Sequence, residues 1–239
     1  MKVHLTSLGC AKNQVDSELM LGSFAGRGFT LCEDPADADV LVVNTCAFIE
    51  DAVNEAVDTI LTLARLKQIG RCRRLIVCGC LPERYRKELA GALPEVDFFF
   101  GTGAYDRVIE AVAGKSKTRT RCVLPAPATM PLHNAGDPRV CATPHTVYIK
   151  IAEGCNRRCT YCIIPRLRGR QRSRRAADIL AEARRLITAG AKELVLVAQE
   201  TTAYGADLSP AVSLASLLAA LSDAAGDTWI RVLYMHPNS

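Results

Sequence analysis

Cys155, Cys159 and Cys162 stand in the run C-N-R-R-C-T-Y-C, so one short loop offers three thiolates at C-x3-C-x2-C spacing. Three is the informative number. A closed structural zinc site takes four ligands, and no fourth Cys or His stands at zinc-finger spacing here. A cubane 4Fe-4S cluster held by only three cysteines leaves one iron open to bind another molecule. With 11 cysteines in 239 residues, this spacing arises by accident only about 0.02 times per chain, which makes it a specific signal.

A second group emerges where strand signals end. Cys10 follows a β-rich run in S-L-G-C-A-K-N, Cys46 follows another in V-V-N-T-C-A-F, and Cys80 ends a third in V-C-G-C-L-P. Parallel pairing of those runs would gather three thiols at the carboxyl edge of one sheet, where α/β folds bind ligands. The alternative is packed free cysteines, which behave as small hydrophobes. Cys32, Cys72, Cys78, Cys122 and Cys141 have no partners at matching positions and are read that way. The first turn lacks G-x-G-x-x-G, so a dinucleotide site there is unsupported.

The elements that must position these thiols are two βα series. In the first hundred or so residues, β-rich runs lie at Lys2–Leu8, Val40–Asn44, Leu75–Cys80 and Asp97–Gly101. Between them Val15, Leu19, Met20 and Phe24, and then Val53, Ala56, Val57, Ile60, Leu61 and Ala64, repeat at helical spacing. Gly26 and Gly28 read as helix stops, Pro82 as the opening of a third helix, and Tyr105–Ala113 as a fourth. This pattern predicts an α/β fold with a doubly wound parallel sheet over residues 1–114.

Residues 115–145 read as a linker. K-S-K-T-R-T-R is polar and basic, and Pro125, Pro127, Pro131, Pro138 and Pro144 interrupt regular structure. A second series over 146–239 begins with the strand Thr146–Ile151, which runs into the cysteine loop. A helix with Ile179, Ala183, Leu186 and Ile187 on one face follows, then a strand over Glu193–Ala198. A helix over Val212–Leu221 and a strand over Trp229–Leu233 complete it. Three βα units cannot close a barrel, so the expectation is a partial (β/α) barrel belonging to a longer chain.

Other polar groups lie where they could serve the same loop. Arg166–Arg175 (R-L-R-G-R-Q-R-S-R-R) suits phosphate or carboxylate recognition, or simply a solvated helix start. Tyr161 could lie against a ligand or pack as an ordinary half-buried aromatic. Glu200, Thr201, Thr202 and Tyr204 follow a strand's carboxyl end and could line a pocket or form a plain polar loop. His4, His133, His145 and His236 are scattered and receive no role.

Bulk properties set the frame. The chain is 49% hydrophobic and 23% charged, as in ordinary globular proteins. Its net charge of +5 permits an anionic partner without requiring one. Met1–Ser7 lacks the apolar core of a signal peptide, and no apolar run approaches the roughly 18 residues of a membrane span. An odd cysteine count in a chain of this length argues against a secreted disulfide scaffold. A cytoplasmic protein with reduced thiols, and no membrane partner, is expected.

Taken together, C-N-R-R-C-T-Y-C resembles the radical S-adenosylmethionine motif. S-L-G-C-A-K-N-Q-V-D-S-E, V-N-T-C-A-F-I-E and C-G-C-L-P resemble the auxiliary-cluster domain of methylthiotransferases. T-Y-C-I-I-P-R-L-R-G-R and V-A-Q-E-T-T-A-Y-G extend the likeness over nearly the whole chain. The resemblance implies two 4Fe-4S clusters, one on Cys155, Cys159 and Cys162 and one on Cys10, Cys46 and Cys80, with S-adenosylmethionine held near Tyr161, Gln199 and Glu200. It implies a radical transferase that inserts sulfur and adds a methyl group, served by a low-potential electron donor.

V-D-S-E, F-I-E and Q-E-T-T-A-Y-G are most like the members that methylthiolate an aspartate of ribosomal protein S-twelve. tRNA adenosine methylthiotransferases are the alternative, and an iron–sulfur electron carrier or a zinc module are alternatives of other classes. Glu200 is a departure, standing where the protein-modifying members often carry Asp. The remaining barrel strands and the family's C-terminal domain do not appear in this sequence.

Overall fold

The computed structural model describes residues 1–114 and 120–237. They form two units, Met1–Met130 with Pro138–Val140, and Pro131–Asp137 with Cys141–Ser239. The basic run expected to start a linker at 115 lies mostly outside the described residues, as does the chain end at Asn238–Ser239.

The first unit contains β1 (Lys2–Ser7), α1 (Ala11–Gly26), β2 (Thr30–Leu31), β3 (Val40–Thr45), α2 (Glu50–Ile69), β4 (Arg74–Gly79), α3 (Cys80–Ala92), β5 (Phe98–Phe100), α4 (Tyr105–Val112) and β6 (Cys122–Val123). The strands form one parallel sheet in the order β2-β1-β3-β4-β5-β6. Parallel strands are covered on both faces, which demands near-continuous apolar runs. The run V-L-V-V-N-T of β3 is buried at every position.

Alternation sends Val40 and Val42 toward α1 and α4, where they meet Met20, Phe24, Val108 and Val112. Leu41 and Val43 point the other way and are also fully buried, on the face where α2 and α3 pack against β3 and β4. The doubly wound sheet expected from the sequence is therefore present.

Several details differ from expectation. The β-rich run Leu75–Cys80 ends at Gly79, whose φ of +99° breaks the extended backbone, so α3 opens on Cys80 rather than Pro82. Two-residue strands β2 and β6 extend the sheet at its edges, the latter inside the proline-rich stretch.

The second unit contains β7 (Thr146–Lys150), β8 (Ala152–Glu153), α5 (Ile164–Arg168), β9 (Arg172–Ser173), α6 (Ala176–Thr188), β10 (Glu193–Val197), α7 (Leu214–Ala225) and β11 (Trp229–Val232). Strands β7, β10 and β11 pair in parallel in chain order, as successive βα units of a barrel do. Ile149, Leu194 and Leu196 pack with Ile179, Ala183, Leu217 and Leu221 from α6 and α7. The antiparallel pair β8–β9 and the short α5 were not foreseen. Residues 154–171 form the loop between those two strands, and that loop carries the C-x3-C-x2-C motif. Among the described residues no helix is long and apolar enough to cross a membrane.

Candidate metal centres and cofactor pocket

Register brings the first triplet together. Ser7 pairs with Asn44 across β1 and β3, and Thr45 pairs with Gly79 across β3 and β4. Three neighbouring strands thus end side by side, and their exits carry Cys10, Cys46 and Cys80. Cys10 caps α1 in an extended conformation, and Cys80 is buried at the start of α3. The approach is close enough to require glycine. A Cβ on Gly9, whose φ is +91°, would lie 2.3 Å from the Cβ of Cys46 and 3.1 Å from its Sγ. One on Gly79 would lie 2.6 Å from both the Thr45 carbonyl and Asn44 Oδ1.

The second triplet is built by a loop. Gly154, at φ +79°, turns the chain out of β8, and a Cβ there would lie 2.2 Å from the Arg170 carbonyl. Cys155 follows, donating its N–H to the Gly169 carbonyl at 3.1 Å, and Cys162 N–H reaches the Cys159 carbonyl at 3.1 Å. A cavity of about 540 Å³ is lined by all three cysteines with Asn156, Arg157, Arg158, Pro165 and Arg170. Burial pushes the Cys155 thiol up; the Arg157 N–H opposes this, while Glu200, Cys162 and Cys159 add to it.

Beneath the loop lies a charged cluster. Glu153 accepts from Lys150 Nζ at 2.7 Å and from Gln199 Nε2 at 2.7 Å, with Arg168 at 3.5 Å. Burial opposes its charge, yet Lys150, Arg168 and these hydrogen bonds hold the carboxyl down at about 2. A second cavity of about 480 Å³ shares Asn156 and Arg157 with the first and adds Gln171, Glu200, Ala203, Ala206 and Asp207. Arg157 Nε donates to Glu200 Oε2 at 2.8 Å, and the Thr202 N–H and hydroxyl both reach Glu200 Oε1. Burial works against the Glu200 charge, but the Thr202 and Arg157 bonds keep the carboxyl below its usual range.

The residues expected to hold a cofactor are thus separated. Glu200 lines the second cavity, Gln199 donates to Glu153, and Tyr161 stands on the surface, 83% exposed. Tyr204 is buried, its hydroxyl donating to the Arg174 carbonyl at 2.8 Å. Of the arginine-rich run, Arg170 lines the cysteine cavity. Arg168 joins the cluster at Glu153, and Arg174 pairs with Glu182 at 2.6 Å. Sequence reasoning passed over Asn156, Gln171 and Asp207. Gln171 is the one uncharged polar side chain among the arginines just before β9, which is the available hint. It is 6% exposed, its Nε2 donates to the Ala203 carbonyl at 2.8 Å, and its Oε1 has no hydrogen-bond partner.

The cysteines outside the two triplets are variously placed. Cys72 and Cys78 are buried, and burial raises the thiols of Cys32, Cys72 and Cys122. Among the described residues, no three His, Cys, Asp or Glu side chains converge as a single ion would require. A cubane spreads its cysteines over separate irons and needs no such convergence. An all-thiol donor set also suits iron–sulfur chemistry.

Residues 2–101 match the uncharacterized protein family UPF0004, and residues 149–234 match the radical SAM superfamily. Over all 239 residues the chain is 80% identical to ribosomal protein uS12 methylthiotransferase RimO of Desulfosudis oleivorans, covering 54% of that protein. Two family models thus match successive parts of the chain, and the likeness to a uS12 methylthiotransferase runs along all of it. A RimO of Anaeromyxobacter sp. strain Fw109-5 is 51% identical over 237 residues, 99% of this chain and 50% of the relative. The chain spans about half the length of the curated relatives it matches.

Solved structures share the fold at low identity. The radical S-adenosylmethionine methyltransferase TsrM of Kitasatospora setae matches with a TM-score of 0.58 at 15% identity, over 84% of this chain and 48% of that one. The cobalamin-dependent S-adenosylmethionine radical enzyme OxsB matches with a TM-score of 0.58 at 11% identity, over 93% and 37%. Both likenesses concern the α/β fold alone.

Proposed function

We propose that this chain is the part of a methylthiotransferase that holds two 4Fe-4S clusters and S-adenosylmethionine, acting on an aspartate side chain of ribosomal protein uS12. The carrying observation is the pair of three-thiol sets, one at the ends of three parallel strands and one in the loop after β8, together with 80% identity over all 239 residues to a uS12 methylthiotransferase. Three cysteines per cluster would leave one iron of each without a protein thiolate. Bound together, a cluster and S-adenosylmethionine supply one-electron cleavage to a 5′-deoxyadenosyl radical, chemistry that belongs to the cofactor while the protein supplies position and shielding.

The chain's own residues have definable tasks. Cys155, Cys159 and Cys162 ligate the cluster beside the 540 Å³ cavity. Asn156 and Arg157 border both cavities, which makes them the seam between cluster and cofactor. Glu200 fixes Arg157 and presents a carboxylate able to accept from an ammonium, and Gln171 offers its free Oε1 to the same space. Gln199 acts one step back, steadying Glu153 under the loop. Tyr161, 83% exposed on the cysteine loop, is among the lining residues of neither cavity. A low-potential electron donor and a cytoplasmic setting complete the reading.

Anaerobic reconstitution tests it, with the 80% identical relative as a full-length control. About eight irons per chain and 5′-deoxyadenosine formed from S-adenosylmethionine with dithionite support the proposal. Iron without cleavage in both proteins points to an electron carrier, and zinc without iron to a structural module. Mass spectrometry of uS12 and of tRNA nucleosides from a deletion strain separates the substrates. Loss of the methylthio group from tRNA alone sinks the uS12 assignment.

A further inference from the structure

Buried side chains tie together the three turns that carry Cys10, Cys46 and Cys80. Asn13, in the first turn of α1, donates through Nδ2 to the Leu8 carbonyl at 3.0 Å and to the Thr45 carbonyl at 2.9 Å. One amide thus joins the exit of β1 to that of β3. Thr45 Oγ1 donates to the Cys78 carbonyl at 2.7 Å and accepts from the Leu81 N–H at 3.2 Å. That hydroxyl joins the exit of β3 to that of β4. Asn44 Nδ2 closes the set, donating to the Asn13 carbonyl at 3.0 Å and to Ser17 Oγ at 2.9 Å.

Asn13, Asn44 and Thr45 have no exposed surface. Polar groups taken fully out of water are costly unless bonded, and here the bonds run to backbone atoms beside ligand cysteines. Leu8 lies two residues before Cys10, Thr45 directly precedes Cys46, and Leu81 directly follows Cys80. Close approach accompanies the polar restraint, since a Cβ on Gly9 would lie 2.3 Å from that of Cys46 and one on Gly79 2.6 Å from the Thr45 carbonyl.

We infer that Asn13, Asn44 and Thr45 are positioning residues of the amino-terminal iron–sulfur site. They fix the three cysteine turns against one another and so set how tightly the cluster is held. The inference rests on the proposed reading of Cys10, Cys46 and Cys80 as a cluster site. Removing an outer partner of a metal ligand commonly costs about 10–100-fold in retention of the metal.

The test uses a chain in which Cys155, Cys159 and Cys162 are all changed to Ala, so that iron reports on the amino-terminal triplet alone. After anaerobic reconstitution this background carries about four irons. Adding Thr45→Val or Asn13→Leu speeds loss of that iron to a chelator by about tenfold or more and shifts the paramagnetic resonance signal of the reduced cluster. Thr45→Ser, which keeps the hydroxyl, restores both. Asn13→Ala, which removes atoms without crowding, carries the test should either near-isostere fail to fold. A background that takes up no iron overturns the cluster reading and the inference with it. A background with its four irons, whose variants hold them as tightly with unchanged spectra, overturns the positioning role alone.

Discussion

Arg157 Nε lies 2.8 Å from Glu200 Oε2, joining the cysteine loop to the residues that follow β10. The carboxylate side is 3% exposed and the guanidinium side 38%, so the bond is anchored at one end and open to solvent at the other. Glu200→Gln keeps the shape and removes the charge. The expected result is an S-adenosylmethionine Kd raised about tenfold or more, the loss typical of a hydrogen bond to a charged group. Equilibrium binding to the reconstituted protein reads it, and an unchanged Kd refutes a cofactor role for this carboxylate.

Gly9→Ala and Gly154→Ala each place a Cβ where a left-handed backbone and a neighbouring chain forbid it. The backbone strain alone is roughly 1–2 kcal/mol. Each variant should lose about half of the reconstituted iron, Gly9→Ala from the strand-end site and Gly154→Ala from the loop site. Gly26→Ala, where an added Cβ meets nothing within 4 Å, should keep all of it. Equal retention in all three would show that the glycines are incidental to the clusters.

His133 and Glu182 are both buried, 3.3 Å apart, with Arg174 also on Glu182. Burial lowers the His133 pKa, the Glu182 bond opposes this, and the Arg174 charge adds to it, leaving the ring below its usual value. In the unfolded chain the ring titrates near about 6.5. Acidification through that value protonates the unfolded state first, so stability falls as pH drops and is regained as pH rises. Thermal unfolding between about pH 7.5 and 5.5 should show a steeper decline in the wild type than in His133→Gln. Parallel slopes would count against His133 as the source.

Arg139 and Glu18 meet at 2.6 Å with side chains 2% and 4% exposed, linking the segment 138–140 to α1. Removing one partner of a buried pair commonly costs about 3–5 kcal/mol, although Gln14 Nε2 still donates to Glu18 at 3.0 Å. Arg139→Met should therefore lower the midpoint of denaturant unfolding far more than Arg139→Met with Glu18→Met. A double variant as unstable as the single would mean that the pair's charge is not what matters there.

Much of this arrangement was legible in residues. V-L-V-V-N and L-I-V-C-G announce β3 and β4 because strands covered on both faces must be apolar throughout. Strands β2, β6, β8 and β9 hold two residues each, too few for any period to show. The loop triplet is visible from spacing alone, and the strand-end triplet from what precedes each cysteine. Asn13, Asn44 and Thr45 escaped notice because an Asn or Thr near a strand end reads as turn chemistry, and only register reveals which backbone groups it reaches. Asn156, Gln171 and Asp207 are distant in sequence, and a fold is needed to make them neighbours.

The two thiol triplets differ in when they can exist during folding. Cys155, Cys159 and Cys162 lie within one loop, so little chain entropy separates them from a ligand-ready state. Cys10, Cys46 and Cys80 meet only after β1, β3 and β4 have paired in register, an event of long sequence separation and correspondingly slow. On the proposed reading, iron bound at the strand ends requires the finished sheet and would add its binding free energy to resistance against unfolding. On the same reading, iron at the loop would arrive earlier and say less about whether the rest of the chain has folded.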